Sequence, residues 1–129
     1  MAEQFLISIV DDDQAVRDSL KRLMRSFGYR IAAFPSAADF LTSPRLAETA
    51  CLIADIQMPG MTGVDLHRHL VGAGRDIPTI LITAYFDDAI RTSALNDGVV
   101  CFLGKPFDED DLMLCVRKAL AGKPSADKP

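Results

Sequence analysis

Hydrophobic residues are concentrated in five short runs along the chain, separated by polar stretches that contain turn and helix signals. The runs are residues 5–10, 29–34, 51–55, 77–83 and 99–103. They are almost fully apolar and rich in β-branched residues, as in strands that are buried on both faces of a parallel sheet. We therefore predict five strands at these positions, of which residues 77–83 form the clearest.

After each run, the spacing of apolar residues changes to that of a helix. The first helical stripe, closed by Gly28, comprises Val16, Leu20, Leu23, Met24 and Phe27, and the last comprises Leu112, Cys115, Val116, Ala119 and Leu120. Helix starts are predicted at Ser36 (with Asp39 completing a capping box), Thr62, Asp87 or Asp88, and Asp108. Pro44 is expected to stop the short second helix.

Five alternating strand–helix units predict an α/β fold, in which a five-stranded parallel sheet is flanked by helices on both faces. We assign residues 1–121 to one domain, in keeping with an apolar fraction of 49% in a chain of 129 residues. Residues 122–129 are polar and contain proline, which is typical of a flexible tail or linker.

The overall charge and hydropathy exclude several classes of function. A net charge of −4 does not favour direct nucleic-acid binding by this chain. No apolar run reaches the length of a membrane span, and the N-terminal residues lack the basic start and cleavage site of a signal peptide. We therefore expect a cytoplasmic protein that does not contact the membrane.

The cysteines and histidines suggest neither a disulfide framework nor a zinc site. Cys51, Cys101 and Cys115 are odd in number, far apart and without a C-x-x-C pair, so we predict three buried core thiols. His67 and His69 are two positions apart on a helix and point to different faces. We expect both histidines to be exposed or partly packed.

Polar side chains follow the predicted strands where each strand ends. They are Asp11, Asp12 and Asp13 after the first strand, Asp55 at the end of the third, Thr83 at the end of the fourth and Lys105 after the fifth. Because the carboxyl ends of parallel strands meet at one edge of a sheet, we expect these groups to lie together. We favour helix capping over metal binding for Asp13.

This set of groups indicates metal-assisted phosphoryl transfer. Carboxylates gathered from two strands repel one another, and a divalent cation relieves that repulsion. Oxygen ligands suit Mg²⁺, and Mn²⁺ is a plausible substitute. A carboxylate such as Asp55 can attack phosphorus, while a lysine such as Lys105 neutralises the charge on the transferred group.

Four motifs, in order and each at a strand end, give these residues a family context. They are V-D-D-D at 10–13, D-I-Q-M-P-G-M-T-G at 55–63, I-T-A at 82–84 and K-P-F at 105–107. Together they resemble the receiver domain of bacterial response regulators over residues 5–121. The resemblance implies a flavodoxin-like (βα)5 fold with strand order 2-1-3-4-5.

The resemblance also implies a role for each acidic residue. Asp55 corresponds to the phosphoacceptor. Asp11 and Asp12 form the acidic pair, with Asp12 favoured as the direct metal ligand. The backbone carbonyl of Gln57 would be a further ligand to the metal.

Other positions match the groups that sense the phosphoryl group in the family. Lys105, Thr83 and Ala84 would bind the phosphoryl oxygens, and Thr83 is the switch hydroxyl. Phe102 occupies the position of the switch aromatic. The peptide bond before Pro106 is expected to be cis.

Two variable positions are expected to tune dephosphorylation. They are Gln57, two residues after the phosphoacceptor, and Tyr85, two residues after the switch threonine. We hypothesise that the bulk of Tyr85 slows the loss of the phosphoryl group. Tyr85 and Phe86 are alternatively interpreted as a contact for a partner.

The resemblance further implies a sensor histidine kinase or a histidine phosphotransfer protein as donor, and an output domain or protein partner as target. Dimerisation through the face of the fourth and fifth helices is a family expectation. The K-P-F-D stretch, residues 105–108, is similar to nitrogen-fixation-type regulators with a helix-turn-helix output, but a stand-alone receiver is equally open.

Three other functions fit the sequence less well. A phosphohydrolase with an aspartate nucleophile would carry a second acid at position 57, where this chain has Gln57. A nucleotide or flavin binder would have a Gly-rich or Ser/Thr-rich loop in place of the acidic residues 11–13. A degenerate receiver that only binds partners would lack some of the site residues, all of which are present.

Overall fold

The computed structural model describes residues 5–121. The strands are β1 (Leu6–Val10), β2 (Arg30–Phe34), β3 (Thr49–Asp55), β4 (Thr79–Thr83) and β5 (Cys101–Gly104). The helices are α1 (Gln14–Ser26), α2 (Ala37–Leu41), α3 (Gly63–Gly72), α4 (Asp88–Asn96) and α5 (Glu109–Leu120), and a 3-10 turn spans Pro44–Glu48. The predicted tail at residues 122–129 lies outside the described residues. Within residues 5–121, each helix is too short or too polar to cross a membrane.

All five strands are parallel and lie in the order β2-β1-β3-β4-β5, which confirms the predicted fold. Two hydrophobic clusters cover the two faces of the sheet. One contains α1 and α5 with residues such as Leu20 and Val116. The other contains α2, α3 and α4 with residues such as Phe40, Leu66 and Ala94. The crossovers thus bury every central strand on both sides, which explains their near-continuous apolar sequence.

Side-chain hydrogen bonds cap the helices that begin next to the carboxyl ends of the strands. Asp13 accepts hydrogen bonds from the backbone N–H groups of Ala15 and Val16, so the third aspartate is a helix cap, as expected. Thr62 and Asp65 form a reciprocal capping box at α3. These bonds satisfy donors that a helix end otherwise leaves unpaired, and so they set the direction of the loops beside the site.

The prediction of three unpaired thiols was wrong. The structure joins Cys101 on β5 to Cys115 on α5 in a disulfide, with a Cα–Cα distance of 6.1 Å. The fifth helix folds back against the sheet and brings two residues 14 positions apart into contact. Sequence spacing alone does not reveal such a pair. Cys51 is buried in the core, as predicted.

The expectation for the histidines holds for His69 but not for His67. His69 is exposed, whereas His67 is buried on α3 between the core positions Leu66 and Leu70 and close to Asp97. The buried face of α3 therefore includes a polar residue beside its apolar ones, because the end of α4 lies next to His67.

Candidate functional site

The ends of β1 and β3 bring three carboxylates together. Val10 pairs with Ala54, so the residues that follow these two positions lie side by side. One carboxylate oxygen each from Asp11, Asp12 and Asp55 lies within 4.8 Å of the others. Asp11 and Asp55 are buried and Asp12 is exposed. The predicted acidic cluster is therefore present, with two members in the protein interior and one facing solvent.

Asp11 is held in place by several neighbours. Its Oδ1 accepts a hydrogen bond of 2.9 Å from the backbone N–H of Asp13. Its Oδ2 accepts one of 3.3 Å from Lys105 Nζ. Its backbone carbonyl accepts one of 2.7 Å from Arg17 on α1. This buried carboxylate is fully partnered, as a charged group in the interior requires.

Asp55 is less well satisfied. Lys105 Nζ lies 3.4 Å from its Oδ1, an ion-pair distance, but this buried oxygen has no hydrogen-bond partner among residues 5–121. Burial raises the pKa of Asp55 above its ordinary value, and the negative charge of Asp11 raises it further, while Lys105 and the backbone N–H of Gln57 oppose the shift. Asp55 thus shares its cationic partner, Lys105, with Asp11, and its negative charge is only partly compensated.

A divalent cation fits this arrangement. Three hard carboxylate oxygens converge, and Asp55 Oδ1 has no hydrogen bond within residues 5–121 that a metal ion would have to displace. Lys105 by itself does not neutralise both buried carboxylates, because its single Nζ is paired with both Asp11 and Asp55. The residues present therefore fit a divalent cation such as Mg²⁺.

Lys105 reaches the cluster from the end of β5. Its backbone N–H donates a 2.7 Å hydrogen bond to the carbonyl of Thr83 on β4, and the Lys105–Pro106 peptide bond is cis. The Lys105 side chain lies beside the carboxylates of Asp11 and Asp55.

Gly63 allows α3 to pack closely against Asp55, and sequence reasoning did not single it out. A Cβ atom added at Gly63 would lie 2.5 Å from the backbone oxygen of Asp55. Only glycine allows the first turn of α3 to pack this closely on the end of β3. The signal was present as the second glycine of the quoted motif at 55–63.

Thr83 and Ala84 contact the side chain of Gln57. The buried Thr83 hydroxyl donates a hydrogen bond of 2.6 Å to Gln57 Oε1, and the N–H of Ala84 donates one of 3.3 Å to the same oxygen. The hydroxyl also contacts the main chain of Tyr85, accepting from its N–H at 3.0 Å and lying 3.2 Å from its carbonyl oxygen. The sequence placed Gln57 near the site but gave no sign of this contact.

Three aromatic residues lie near Thr83 in the fold: Phe102 is on β5, and Tyr85 and Phe86 follow β4. Phe102 is buried at 7% exposure and packs edge-to-face on Phe86, with 5.4 Å between ring centroids. Phe86 is 53% exposed, and Tyr85 is 74% exposed. In this conformation the Tyr85 ring therefore faces solvent, and its proposed influence on dephosphorylation stays a prediction.

Known proteins with similar sequences are bacterial regulators. The chain is 41% identical to the response regulator protein TmoT of Ectopseudomonas mendocina over 118 residues, which cover 92% of this chain and 54% of TmoT. It is 34% identical to the transcriptional regulatory protein FixJ of Azorhizobium caulinodans over 93% of this chain and 57% of FixJ. The chain thus spans about half the length of these relatives.

Solved structures agree with the sequence comparison. The response regulator StyR superposes with a TM-score of 0.84 at 36% identity, over 93% of this chain and 60% of StyR. The crystal structure of FixJ-N gives a TM-score of 0.83 at 30% identity, over 96% of this chain and 99% of that one. The sequence profile described as the response regulator receiver domain matches residues 7–117. The chain therefore belongs to the response regulator receiver domain family.

Proposed function

We propose that this chain is a phosphorylation-operated switch that accepts a phosphoryl group on Asp55 in a Mg²⁺-dependent reaction. One observation carries the proposal. The buried Asp55 carboxylate lies in one cluster with Asp11 and Asp12, and the Lys105 ammonium is 3.4 Å from its Oδ1 atom. A nucleophile, ligands for a cation and a fixed positive charge thus share one end of the sheet.

In the reaction, an Asp55 carboxylate oxygen attacks the phosphorus atom in line with the donor. A new O–P bond forms as the bond to the donor's nitrogen or oxygen breaks, and the donor leaves with the bonding electrons. Lys105 neutralises charge on the phosphoryl oxygens. Asp11, Asp12, Asp55 and the backbone carbonyl of Gln57 would hold Mg²⁺, or Mn²⁺ in its place, and the bound cation would supply further positive charge to the site.

The product is a signal rather than a released compound. The Thr83 hydroxyl and the Ala84 N–H stand at the end of β4, where they would donate hydrogen bonds to the new phosphoryl oxygens. Phe102 is already buried against Phe86, so movement of Thr83 would change the packing of Phe102 in place and thereby reshape the surface formed by α4, β5 and α5. This is a two-state change that a local charge biases, and the chain would catalyse only its own phosphorylation and slow dephosphorylation.

The partners follow from the family and from the length of the relatives. We propose a sensor histidine kinase or a histidine phosphotransfer protein as donor in the cytoplasm. The output would be a separate domain or protein, for example a transcription-regulating one, as the name of FixJ suggests. The surface of α4 and α5 is our candidate for a homodimer contact, and direct nucleic-acid binding by residues 1–121 is not part of the proposal.

The test is the intact mass of the protein after incubation with acetyl phosphate, with and without Mg²⁺. We expect a gain of one phosphoryl group that requires the metal and is absent from Asp55→Asn. Asp13→Asn is the matched control, because Asp13 caps α1 and asparagine caps a helix equally well. That variant should be labelled like the wild type.

Two results would contradict the proposal. Labelled Asp55→Asn protein would place the phosphoryl group on another residue. A wild-type chain that is labelled neither by acetyl phosphate nor by any histidine kinase in a screen would be a partner-binding receiver without phosphoacceptor activity.

A further inference from the structure

The side chain of Gln57 occupies the two donors that the phosphoryl group needs. Its Oε1 accepts hydrogen bonds from the Thr83 hydroxyl at 2.6 Å and from the Ala84 N–H at 3.3 Å. Under the proposed function, these are the groups at the end of β4 that bind phosphoryl oxygens. The amide oxygen of Gln57 therefore stands where a phosphoryl oxygen would be recognised.

Gln57 and a phosphoryl group would compete for these donors, because each donor has a single hydrogen. A threonine hydroxyl carries one hydrogen and a backbone amide carries one. At 2.6 Å, the hydrogen of Thr83 is directed to Gln57 rather than to the Tyr85 carbonyl at 3.2 Å. A phosphoryl oxygen on Asp55 can gain the Thr83 hydrogen only if Gln57 releases it.

The contact is also reversible. Thr83 is buried, whereas Gln57 is exposed, so a released Gln57 amide exchanges its partners for water. A neutral hydrogen bond with a solvated alternative makes only a modest net contribution to stability. Such a contact is strong enough to bias a two-state equilibrium and weak enough for a charged phosphoryl group to displace.

We propose that Gln57 is a positioning residue that holds Thr83 and Ala84 in the unphosphorylated arrangement and competes with the phosphoryl group for them. This inference rests on the proposed function, because it assigns the competing ligand. We call the contact of Gln57 Oε1 with Thr83 Oγ1 and Ala84 N–H the Gln57 latch. The closed Gln57 latch lowers the apparent affinity of the site for a phosphoryl group. The apparent affinity equals the intrinsic affinity multiplied by the fraction of molecules in which the latch is open.

The test uses ¹⁵N-labelled protein and beryllofluoride as a phosphoryl mimic. Gln57→Met keeps the length of the side chain but replaces the amide oxygen with a weakly accepting sulfur. We expect it to shift the Ala84 amide resonance in protein without metal or mimic. In the presence of Mg²⁺, it should tighten beryllofluoride binding by about two- to tenfold, the factor that corresponds to one neutral hydrogen bond.

Two further variants separate hydrogen bonding from bulk. Gln57→Ala removes both the acceptor and most of the side chain, and it should bind the mimic about as tightly as Gln57→Met. In a Thr83→Ala background, the gain from Gln57→Met should shrink, since the principal donor is gone. Amide spectra of each variant will show that the domain is folded.

Each failure has a distinct meaning. If wild-type protein binds no beryllofluoride and is not labelled at Asp55, the proposed function falls and the competition falls with it. If wild-type protein binds the mimic but Gln57→Met binds it no more tightly, the latch alone is wrong. Tightening by Gln57→Ala only would assign the effect to side-chain bulk, and an undiminished gain in the Thr83→Ala background would also overturn the latch.

Discussion

His67 is a titratable group that the fold holds in a buried position beside α4. Burial lowers its pKa below the ordinary value of 6.5, and the charge of Arg68 lowers it further, while Asp97 opposes the shift. The folded state thus favours the neutral imidazole. As the pH falls below about 6.5, His67 takes up a proton in the unfolded chain but not yet in the folded chain. The folded state therefore loses stability until the pH reaches the lowered pKa of His67 in the folded protein.

We predict that His67→Gln reduces this loss. The free energy of unfolding should decrease less between about pH 7.5 and about pH 5.5 in His67→Gln than in the wild type, because the variant has no imidazole to protonate. Urea unfolding at both pH values measures the difference. His69→Gln is the control, since it removes an exposed histidine from the same helix and should leave the wild-type pH dependence in place. An equal pH dependence in all three proteins would mean that His67 titrates normally.

At the scale of elements, the contact between α3 and the end of β3 depends on one missing side chain. A Cβ at Gly63 would overlap the Asp55 backbone oxygen at 2.5 Å and approach Leu81 at 3.2 Å. Both the helix and the strand belong to the packed core, so neither can move away without cost.

We predict that Gly63→Ala destabilises the domain by about 1–3 kcal/mol and displaces Asp55. Gly72→Ala is a matched control in the same helix, where an added Cβ meets nothing within 4 Å. That change should be neutral or slightly stabilising, because alanine is the better helix former. Urea unfolding compares the two variants, and the rate of acetyl phosphate labelling reports on Asp55. Equal stability of the two variants would show that α3 adjusts freely to the extra methyl group.

The contrast between predicted and unpredicted features also has an element-scale cause. Strands buried on both faces leave an apolar signature, and parallel strands bring their ends together, so Asp11 and Asp55 could be assigned to one edge from the sequence. The Gln57–Thr83 contact depends on loop conformation and rotamer, which no periodic pattern encodes. The burial of His67 and the Cys101–Cys115 pair depend on how helices lie against their neighbours.

At the scale of the whole molecule, the charge at the carboxyl end of the sheet is unbalanced. Three carboxylates lie close together, and the Lys105 ammonium is paired with only two of them, Asp11 and Asp55, which are both buried. Removing a charged carboxylate from water costs free energy, so folding at this end of the sheet has an unfavourable electrostatic contribution. A bound divalent cation removes that conflict in the folded state only, because the unfolded chain does not hold the three groups together.

We therefore predict that Mg²⁺ stabilises the entire domain. At about ten times its dissociation constant, a ligand that binds only the folded state contributes about 1.4 kcal/mol, which corresponds to a rise of a few degrees in Tm. Asp12→Asn replaces an exposed carboxylate of the proposed ligand set without disturbing the core and should reduce the rise, whereas Asp39→Asn, an exposed acid on α2, should keep it. Thermal unfolding at matched ionic strength separates metal binding from general screening. An equal rise in Asp12→Asn and the wild type would remove Asp12 from the ligand set, and no rise in any protein would remove the metal from the proposed function.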